Sequence, residues 1–442
     1  MVMKPTCNGS FTIHTSLLFD PKTKSFLKDI SLTISPDSGL ITSLSKRTSP
    51  LPTTISPPDI DLRHRTVLPG LVDAHTHILL HSYRETPSLN QMRDESLPER
   101  IIRATNHCRT ALLAGYTTYR DLGTEGAGDA DVHVRDAVNR GIIPGPRIFA
   151  ATECLASSGG YETRIESRSA GVEVPRISDP VDGVVGCKAG VRRRLGAGAD
   201  VVKFYADYRK RALRWPGQTW PGCAGIEFPP EQTEWLTGER NPNLLLFGQE
   251  EMDAMVSEAK AARAPVAAHA SSAEAVAMAA MAGVTTVEHG FESWEGSEVV
   301  AIMKEKGTIW VPTLAVIEAE AERALEGVLK QVKRAWEAGV RIAAGGDTGA
   351  FAHGENVREV ELLLRAGLPL EEALTAATLR GWEACGGEWA GRKFGWLGEG
   401  CAADVVALEG DVREDVGALR RVEFVMKDGR VWKREGEAVG MV

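Results

Sequence analysis

Short segments in which apolar and polar residues alternate lie at both ends of the chain, separated by Pro, Gly, Asp and Ser. The segments are residues 11–13, 30–34 and 40–44 at one end and residues 404–408 and 422–432 at the other. Alternation with a period of two predicts β-strands, and Asp428-Gly429 between two apolar runs predicts a hairpin turn. We expect the two ends, residues 1–65 and 400–442, to pair and form a small β-sandwich domain.

The central region has a different pattern, in which buried-type apolar runs alternate with stretches of helical periodicity. Helical spacing of apolar residues is clear over residues 250–262 and 370–377. The expected strands end near His77, Asp121, Glu153, Lys203, His269, Glu288, Pro312 and Asp347. Eight strands alternating with helices predict a parallel sheet of the α/β class, closed as a (β/α)8 TIM barrel over residues 66–399.

Composition narrows the class of protein. Of the 442 residues, 43% are hydrophobic and 25% are charged, as in a globular protein with a large core. A net charge of −9 provides no basic field for phosphates or anionic lipids, so we expect no nucleic-acid and no membrane partner. Residues 1–10 lack the apolar core of a signal peptide, which predicts a cytoplasmic protein. The seven cysteines show no Cys-x-x-Cys spacing and are expected to be reduced thiols, mostly in the core.

Two histidines, His75 and His77, close the first expected strand. Residues two apart on a strand point to the same face, so the pair can bind one metal ion. Such a pair is also found on surfaces and in satisfied cores. Its position favours the metal site, because active sites of barrels lie at the carboxyl ends of the strands.

Lys203 lies within the apolar run of the fourth expected strand. A parallel strand is buried on both faces, and an unpaired ammonium there would be costly. The lysine must therefore be neutralised, paired or modified. The alternative is a side chain that reaches solvent from the strand end.

Three more residues of ligand type close other strands. His269 and His289 end the fifth and sixth strands, and Asp347 follows the eighth in a glycine-rich turn. An aspartate in a turn is commonly only a cap for the backbone. Ligand-type residues at the ends of five strands are improbable by chance, however, and together they predict one metal site.

This ordered set resembles the binuclear-metal branch of the amidohydrolase superfamily. The nearest resemblance is to the imidazolonepropionase-like and Xaa-Pro dipeptidase-like amidohydrolases, a group that includes ochratoxin-hydrolysing amidases. It covers about residues 60–410. The motifs that carry it are Pro69-Gly70-Leu71-Val72-Asp73 before His75-x-His77, Gly198-Ala199-Asp200-Val201-Val202-Lys203, Val287-Glu288-His289-Gly290, Asp347-Thr348-Gly349 and His353-Gly354-Glu355-Asn356.

The resemblance implies a ligand set and a reaction. Lys203 would be carboxylated on its amine and bridge two divalent ions, most suitably Zn²⁺, with Mn²⁺, Co²⁺ and Fe²⁺ left open by ligand type. One ion would bind His75, His77 and Asp347, and the other would bind His269 and His289. Two such ions activate a water as hydroxide, and Asp347 would take its proton and pass it to the leaving amine.

Some positions depart from the family pattern. Tyr161 stands where relatives commonly have histidine, so the substrate cannot be carried over. The long segment 209–248 contains Trp215, Trp220 and Trp235, which favours a lid over the active site, the alternative being a surface excursion. The candidate substrate-binding residues are Tyr161, Tyr205, Tyr208 and His353, of which the last could equally cap a helix.

We predict an enzyme that cleaves a small-molecule amide, whether peptide-like, an N-acyl amino acid or a cyclic amide. One alternative is an inactive barrel kept as an interaction scaffold, against which the complete ligand set argues. Another is metal-assisted deamination or decarboxylation at the same site. The sequence leaves a homo-oligomer open.

Overall fold

The computed structural model describes residues 9–160, 165–167, 172–173, 176–208, 218–219, 227–228, 244–292, 294 and 297–441. The strands in chain order are β1 (Phe11–Asp20), β2 (Ser25–Lys28), β3 (Ile30–Ser35), β4 (Leu40–Lys46), β5 (Ile60–Pro69), β6 (Leu71–Thr76), β7 (Tyr116–Asp121), β8 (Arg147–Ala150), β9 (Cys154–Ala156), β10 (Ile165–Ser167), β11 (Val172–Glu173), β12 (Ser178–Pro180), β13 (Val202–Tyr205), β14 (Asp207–Tyr208), β15 (Gln218–Thr219), β16 (Glu227–Phe228), β17 (Leu244–Leu245), β18 (Val266–Ala270), β19 (Thr286–His289), β20 (Ile309–Val311), β21 (Arg341–Ile342), β22 (Val405–Glu409), β23 (Val422–Lys427), β24 (Arg430–Arg434) and β25 (Glu437–Ala438).

The helices lie mainly between the central strands. They are α1 (Ser88–Asp94), α2 (Leu97–Leu113), α3 (Ala130–Asn139), α4 (Gly183–Gly196), α5 (Gln249–Ala261), α6 (Ala273–Ala282), α7 (Val299–Lys306), α8 (Leu314–Glu320), α9 (Glu322–Glu337), α10 (Val357–Arg365), α11 (Leu370–Ala376) and α12 (Leu379–Ala384), with 3-10 turns at Gly387–Ala390 and Val416–Arg420. The helices expected over residues 250–262 and 370–377 are confirmed as α5 and α11. In the described part of the chain, no helix combines the length and apolar character needed to cross a membrane.

The two ends of the chain meet in one nine-stranded sheet, as expected. Its order is β25-β24-β23-β22-β5-β1-β3-β4, with β2 paired to β1. Strand β5 joins the two ends, because it runs parallel to β1 and antiparallel to β22. The turn at Asp428-Gly429 has positive φ at both residues, 49° and 73°, which is the conformation of a tight hairpin turn. This terminal sheet extends to Pro69, beyond the expected end of the segment at residue 65.

The central strands form parallel sheets, which confirms the α/β class. One sheet has the order β6-β7-β8 and the other β12-β9-β13-β18-β19-β20-β21. Backbone hydrogen bonds connect the two sheets at both sides: Ala74 N donates to Ala344 O over 2.9 Å, and Asp200 N donates to Ala150 O over 2.8 Å. The carboxyl ends of strands from both sheets are thereby brought to a common edge.

Several strand boundaries differ from expectation for physical reasons. The run from Val67 to His77 is divided at Gly70, because its first part pairs with the terminal sheet and its second part begins β6. Strand β21 is only two residues long, and the chain continues beside β6 without a strand pattern. A Cβ at Gly345 would lie 2.6 Å from the His75 backbone nitrogen, so this close approach requires glycine.

The hydrophobic core is divided between the terminal sheet and the parallel sheets. Residues of the terminal sheet, among them Ile13, Leu32 and Phe424, form an apolar cluster separate from the main cluster around the parallel strands. Cysteines contribute to the buried interior, as expected. Those that the structure describes are free and buried: Cys108, Cys154, Cys187, Cys385 and Cys401.

Candidate metal centre

The six expected ligand residues lie at the carboxyl ends of the parallel strands or just beyond them. They are His75 in β6, His77 after it, Lys203 in β13, His269 in β18, His289 at the end of β19 and Asp347 beyond β21. Because β13, β18 and β19 are consecutive parallel neighbours, Lys203, His269 and His289 lie in adjacent strands of one sheet. A backbone hydrogen bond of 3.0 Å from Asp347 N to His75 O holds Asp347 beside His75.

His75, His77 and Asp347 have the geometry of a metal site. The Oδ1 atom of Asp347 lies 3.1 Å from His77 Nε2 and 3.6 Å from His75 Nε2. Two ligand atoms bound tetrahedrally to one Zn²⁺ at about 2.1 Å lie roughly 3.4 Å apart. The two measured distances bracket that value, and the three ligand atoms all lie within 4.8 Å of one another. This group fits a single divalent ion.

The other three candidates adjoin this group. The ring centroids of His269 and His289 are 4.5 Å apart, and those of His289 and His75 are 5.0 Å apart. Lys203 is only 3% exposed, so its side chain does not reach solvent from the strand end. Burial is the largest cause that lowers the pKa values of His75 and His269, and the charge of Lys203 is the next.

Hydrogen bonds at the Nδ1 atom orient three of the histidine rings. The Nδ1 atom of His77 donates to Gly123 O over 2.8 Å, and that of His75 lies 2.9 Å from Glu288 Oε2. The Nδ1 atom of His289 lies 3.0 Å from the Thr313 hydroxyl. With Nδ1 engaged in this way, Nε2 is the nitrogen available to an ion, and such partners are usual around metal-binding histidines.

Burial and nearby charge set the protonation of the site. Burial lowers the pKa of His75 to about 4 and also lowers the pKa values of His269 and His289, so these rings are neutral at pH 7, the form that binds metals. Burial opposes the charged form of His77, but the hydrogen bond and charge of Asp347 raise its pKa to about 9. Burial likewise disfavours the Asp347 carboxylate, yet His75 and His77 hold its pKa below the ordinary range. Metal binding at His77 Nε2 therefore requires release of a proton.

Comparison with known proteins agrees with this geometry. A model of the amidohydrolase family matches residues 66–432, most of the chain. The chain belongs to the amidohydrolase family. As an amidohydrolase, it is an enzyme that hydrolyses amide bonds.

Two proteins similar to this amidohydrolase have named activities. Ochratoxinase of Aspergillus niger is 29% identical over 404 residues, which cover 84% of this chain and 76% of the relative. The crystal structure of a Xaa-Pro dipeptidase with methionine bound in its active site is similar with a TM-score of 0.76 at 30% identity, covering 96% of this chain and 100% of that chain. The crystal structure of the A. niger ochratoxinase has a TM-score of 0.74 at 27% identity, with 96% of each chain covered.

The candidate substrate-binding residues of the amidohydrolase occupy different places. Tyr205 and Tyr208 lie beside His269, with ring centroids 5.1 and 5.2 Å from its ring. His353 is engaged elsewhere: its Nε2 donates to Leu80 O over 3.1 Å, and its ring stacks on His107 at 4.2 Å. Tyr161 lies outside the described residues, as does most of the segment 209–248 that was expected to form a lid.

Sequence analysis missed several polar residues at this site. Arg120 is fully buried and donates to Glu288, Glu125 Oε1 accepts from the Tyr205 hydroxyl over 3.2 Å, and Asp207 Oδ1 lies 4.0 Å from His269 Nε2. A signal was available for Arg120, because it is an arginine within the short buried strand Tyr116–Asp121. Like Lys203, Arg120 carries a charge within a buried strand, where an unpaired charge would be costly.

Backbone strain accompanies the ligands. Positive φ values occur at His289 (76°), Thr313 (50°) and Asp347 (62°), none of which is glycine. Such conformations cost about 1–3 kcal/mol each and persist where the surrounding structure enforces them, which is typical of functional sites. Gly349 follows Asp347 with φ of 125°, and a Cβ there would lie 2.6 Å from His77 O. The turn that carries Asp347 therefore packs directly on the strand end that carries His77.

Proposed function

We propose that this amidohydrolase cleaves its amide substrate with two divalent metal ions, most suitably Zn²⁺, held at the edge described above. The observation that carries the proposal is the Asp347 carboxylate 3.1 Å from His77 Nε2 and 3.6 Å from His75 Nε2. The proposed ligands are His75, His77 and Asp347 for one ion, His269 and His289 for the other, and Lys203 for both.

Carboxylation of Lys203 is part of the proposal. The lysine is 3% exposed, and burial lowers its pKa, so a lone ammonium is disfavoured there. An uncharged amine is the form that can take up CO2. The resulting carbamate would be an anion, and the bound cations would compensate its charge in this buried place.

When bound, such ions supply Lewis acidity and lower the pKa of a coordinated water to about 7. Asp347 then serves as the proton carrier. As a carboxylate ligand of an ion, Asp347 would be ionised at neutral pH and could accept the proton of the attacking water. Returning that proton to the leaving nitrogen completes cleavage of the carbon–nitrogen bond.

We propose a dipeptide or an N-acyl amino acid as the substrate class, with cyclic amides as the next choice. The support comes from the Xaa-Pro dipeptidase and ochratoxinase relatives. Tyr205 and Tyr208 beside His269 offer aromatic faces to such a substrate. Tyr161 and His353 remain proposed contacts, and the segment 209–248 remains a proposed lid.

We also propose that the two parallel sheets form a closed (β/α)8 barrel over residues 66–399 and that residues 1–65 and 400–442 form a β-sandwich domain. The relatives of known structure and the hydrogen bonds connecting the two sheets support the barrel. The separate apolar cluster of the terminal sheet supports a second domain.

Elemental analysis of purified protein tests the proposal first, with about two divalent ions expected per chain. Dipeptides and N-acyl amino acids should then be hydrolysed by the Zn²⁺- or Mn²⁺-loaded protein, with both products identified by mass spectrometry. A folded, metal-supplemented protein that binds no ion would remove the mechanism and favour an inactive scaffold. Release of ammonia or CO2 instead of an amine and an acid would favour deamination or decarboxylation.

A further inference from the structure

Next to the six proposed ligands lies a pair of side chains that the proposed mechanism does not use. Arg120 in β7 and Glu288 in β19 both have 0% side-chain exposure, and Arg120 Nη2 donates to Glu288 Oε1 over 2.9 Å. The second carboxylate oxygen, Oε2, lies 2.9 Å from His75 Nδ1. The three side chains form a continuous hydrogen-bonded row that ends on a proposed metal ligand.

We infer that Arg120 and Glu288 are positioning residues that fix the tautomer and the ring orientation of His75. The inference rests on the proposed metal-dependent function and adds to it a reason why His75 presents Nε2 to the ion. Neither residue touches the reacting atoms in this scheme. Both act through the histidine ring.

The tautomer follows from hydrogen-bond chemistry. An ionised carboxylate only accepts hydrogen bonds, and a neutral imidazole donates from one nitrogen while it accepts at the other. The contact with Glu288 therefore assigns the proton of His75 to Nδ1. The lone pair is then on Nε2, the nitrogen that faces Asp347 Oδ1 at 3.6 Å. That is the form of the ring that can bind a metal ion at this position.

The carboxylate itself is held in place from the other side. Its Oε1 atom accepts from both Arg120 and the Thr286 hydroxyl, so only Oε2 is left for His75. Arg120 is fixed in turn, because its Nε donates to Ala74 O over 2.6 Å. Ala74 precedes His75 in β6, so the arginine contacts the backbone of the strand that carries the ligand. The Arg120–Glu288 ion pair therefore contacts both the ring of His75 and the backbone that precedes it.

Changing Glu288 to glutamine tests the inference without altering the shape of the side chain. The amide has one acceptor oxygen, which Arg120 and the Thr286 hydroxyl both require. Its NH2 group then faces His75 Nδ1, which must accept, and the ring proton moves to Nε2, where the ion would bind. Glu288→Gln should weaken Zn²⁺ binding by about 10-fold or more, the scale found for partners of metal ligands. Zn²⁺ affinity is measured by competition with a chromophoric chelator.

A second readout reports the tautomer directly. In zinc-free protein labelled with ¹⁵N at the histidines, the His75 ring signals, assigned with a His75→Asn variant, should show protonated Nδ1 in the wild type. In Glu288→Gln they should show protonated Nε2. A pair with a merely structural role would change thermal stability and leave this assignment unmoved.

The chain contains a matched control at a distance from the ligands. Arg147 and Asp404 form another buried pair with an N–O distance of 2.9 Å. Asp404→Asn is the same carboxylate-to-amide change, and it should leave Zn²⁺ affinity within twofold of the wild type. A comparable loss of affinity in both variants would show a general effect of destabilisation and would overturn the inference.

The outcomes separate the inference from the function on which it rests. A wild-type protein that binds no ion removes the proposed function. A wild type that binds two ions, together with a Glu288→Gln protein of unchanged affinity and tautomer, overturns only the positioning role. If Glu288→Gln does not fold, the double variant Arg120→Met and Glu288→Met removes both charges together, a replacement that is often tolerated in buried pairs. That variant must show the same loss of Zn²⁺ affinity for the inference to stand.

Discussion

Two arginine–carboxylate pairs of this protein, both largely buried, are alike in geometry and differ in what they serve. Arg120 with Glu288 and Arg147 with Asp404 each have an N–O distance of 2.9 Å. The second oxygen of Glu288 contacts the ring of a proposed metal ligand, His75. The second oxygen of Asp404 instead accepts the backbone N–H that follows β23, over 2.8 Å.

The comparison indicates that the role of each pair depends on the group that the second carboxylate oxygen contacts, and not on the ion pair itself. Arg147 also donates to Asp428 Oδ1 over 2.8 Å, so its pair connects β8 of the parallel sheet to the hairpin of the terminal sheet. We call this contact, made by Arg147, Asp404 and Asp428, the sheet junction. Loss of one partner from either pair should destabilise the fold, because an unpaired buried charge is costly. Only loss of the first should also disturb metal binding.

The largest expected effect is at the metal centre. Lys203→Ala removes the proposed bridging ligand, so hydrolysis should fall by about 10⁴-fold or more, since both charge stabilisation and general-base catalysis depend on the site. Metal content should fall with it, while the sheet junction stays intact. Added acetate or propionate should restore part of both by supplying a bridging anion.

The matched control for Lys203 is Lys427, a second buried lysine whose Nζ donates to Gly145 O over 2.8 Å near the sheet junction. Lys427→Met should keep its metal content and its activity. Full activity of Lys203→Ala would show that the bridge is not needed.

Breaking the sheet junction should have the next largest effect, on stability alone. Arg147→Met leaves the carboxylates of Asp404 and Asp428 without their shared cation, and we expect a loss of about 3–5 kcal/mol in the free energy of unfolding, the usual cost of removing one partner of a buried pair. Urea denaturation measures it. kcat at a temperature where the variant is folded should stay within twofold of the wild type. A tenfold decrease in kcat would mean that the junction also shapes the active site.

Asp347→Asn should lower kcat by about 10²-fold, or about 2.7 kcal/mol, because an amide can still offer an oxygen to a metal but cannot carry a proton. Elemental analysis should find metal retained, which distinguishes this variant from Lys203→Ala. If kcat were nearly normal, another residue would carry the proton. His353 is poorly placed for that, since its Nε2 donates to the Leu80 carbonyl.

The smallest expected effect is a pH dependence of stability at the sheet junction. Burial and, next, the charge of Arg147 lower the pKa of Lys427 from 10.5 to about 8. Between these values the unfolded chain binds the proton and the folded chain does not, so folding is favoured as the pH rises. The wild type should therefore gain about 1 kcal/mol per pH unit relative to Lys427→Met between pH 8 and pH 10. Paired urea titrations at three pH values measure the difference, and a constant difference would show that Lys427 keeps its ordinary pKa.

Local patterns predicted much of the fold. The alternating terminal strands, the turn at Asp428-Gly429 and the amphipathic helices α5 and α11 are all confirmed, because each depends on residues close together in the chain. Boundaries were less predictable where a strand had two sets of neighbours. The run from Val67 to His77 is apolar throughout, and pairing of its first part with Val405–Glu409 near the other end of the chain decides where it divides.

The candidate site likewise has features that the sequence could predict and features that it could not. His75, His77, Lys203, His269, His289 and Asp347 could be selected from the sequence, because each is a ligand-type or charged residue at the end of an apolar run. Glu288 was visible beside His289, but its role was not, since the contact with His75 spans 213 positions. The distances that would let His75, His77 and Asp347 hold one metal ion also arise only where the chain beyond β21 returns to β6.

The sequence by itself determined the class of fold, the pairing of the two ends and the candidate metal ligands, because periodicity and residue type are local properties. The tertiary structure decided which nitrogen of each histidine faces the site. It also decided which buried charges are compensated and where Tyr205 and His353 lie. Those outcomes depend on hydrogen bonds between strands far apart in the chain, and the same side chain can donate, accept or lose its charge according to the neighbour that folding brings to it.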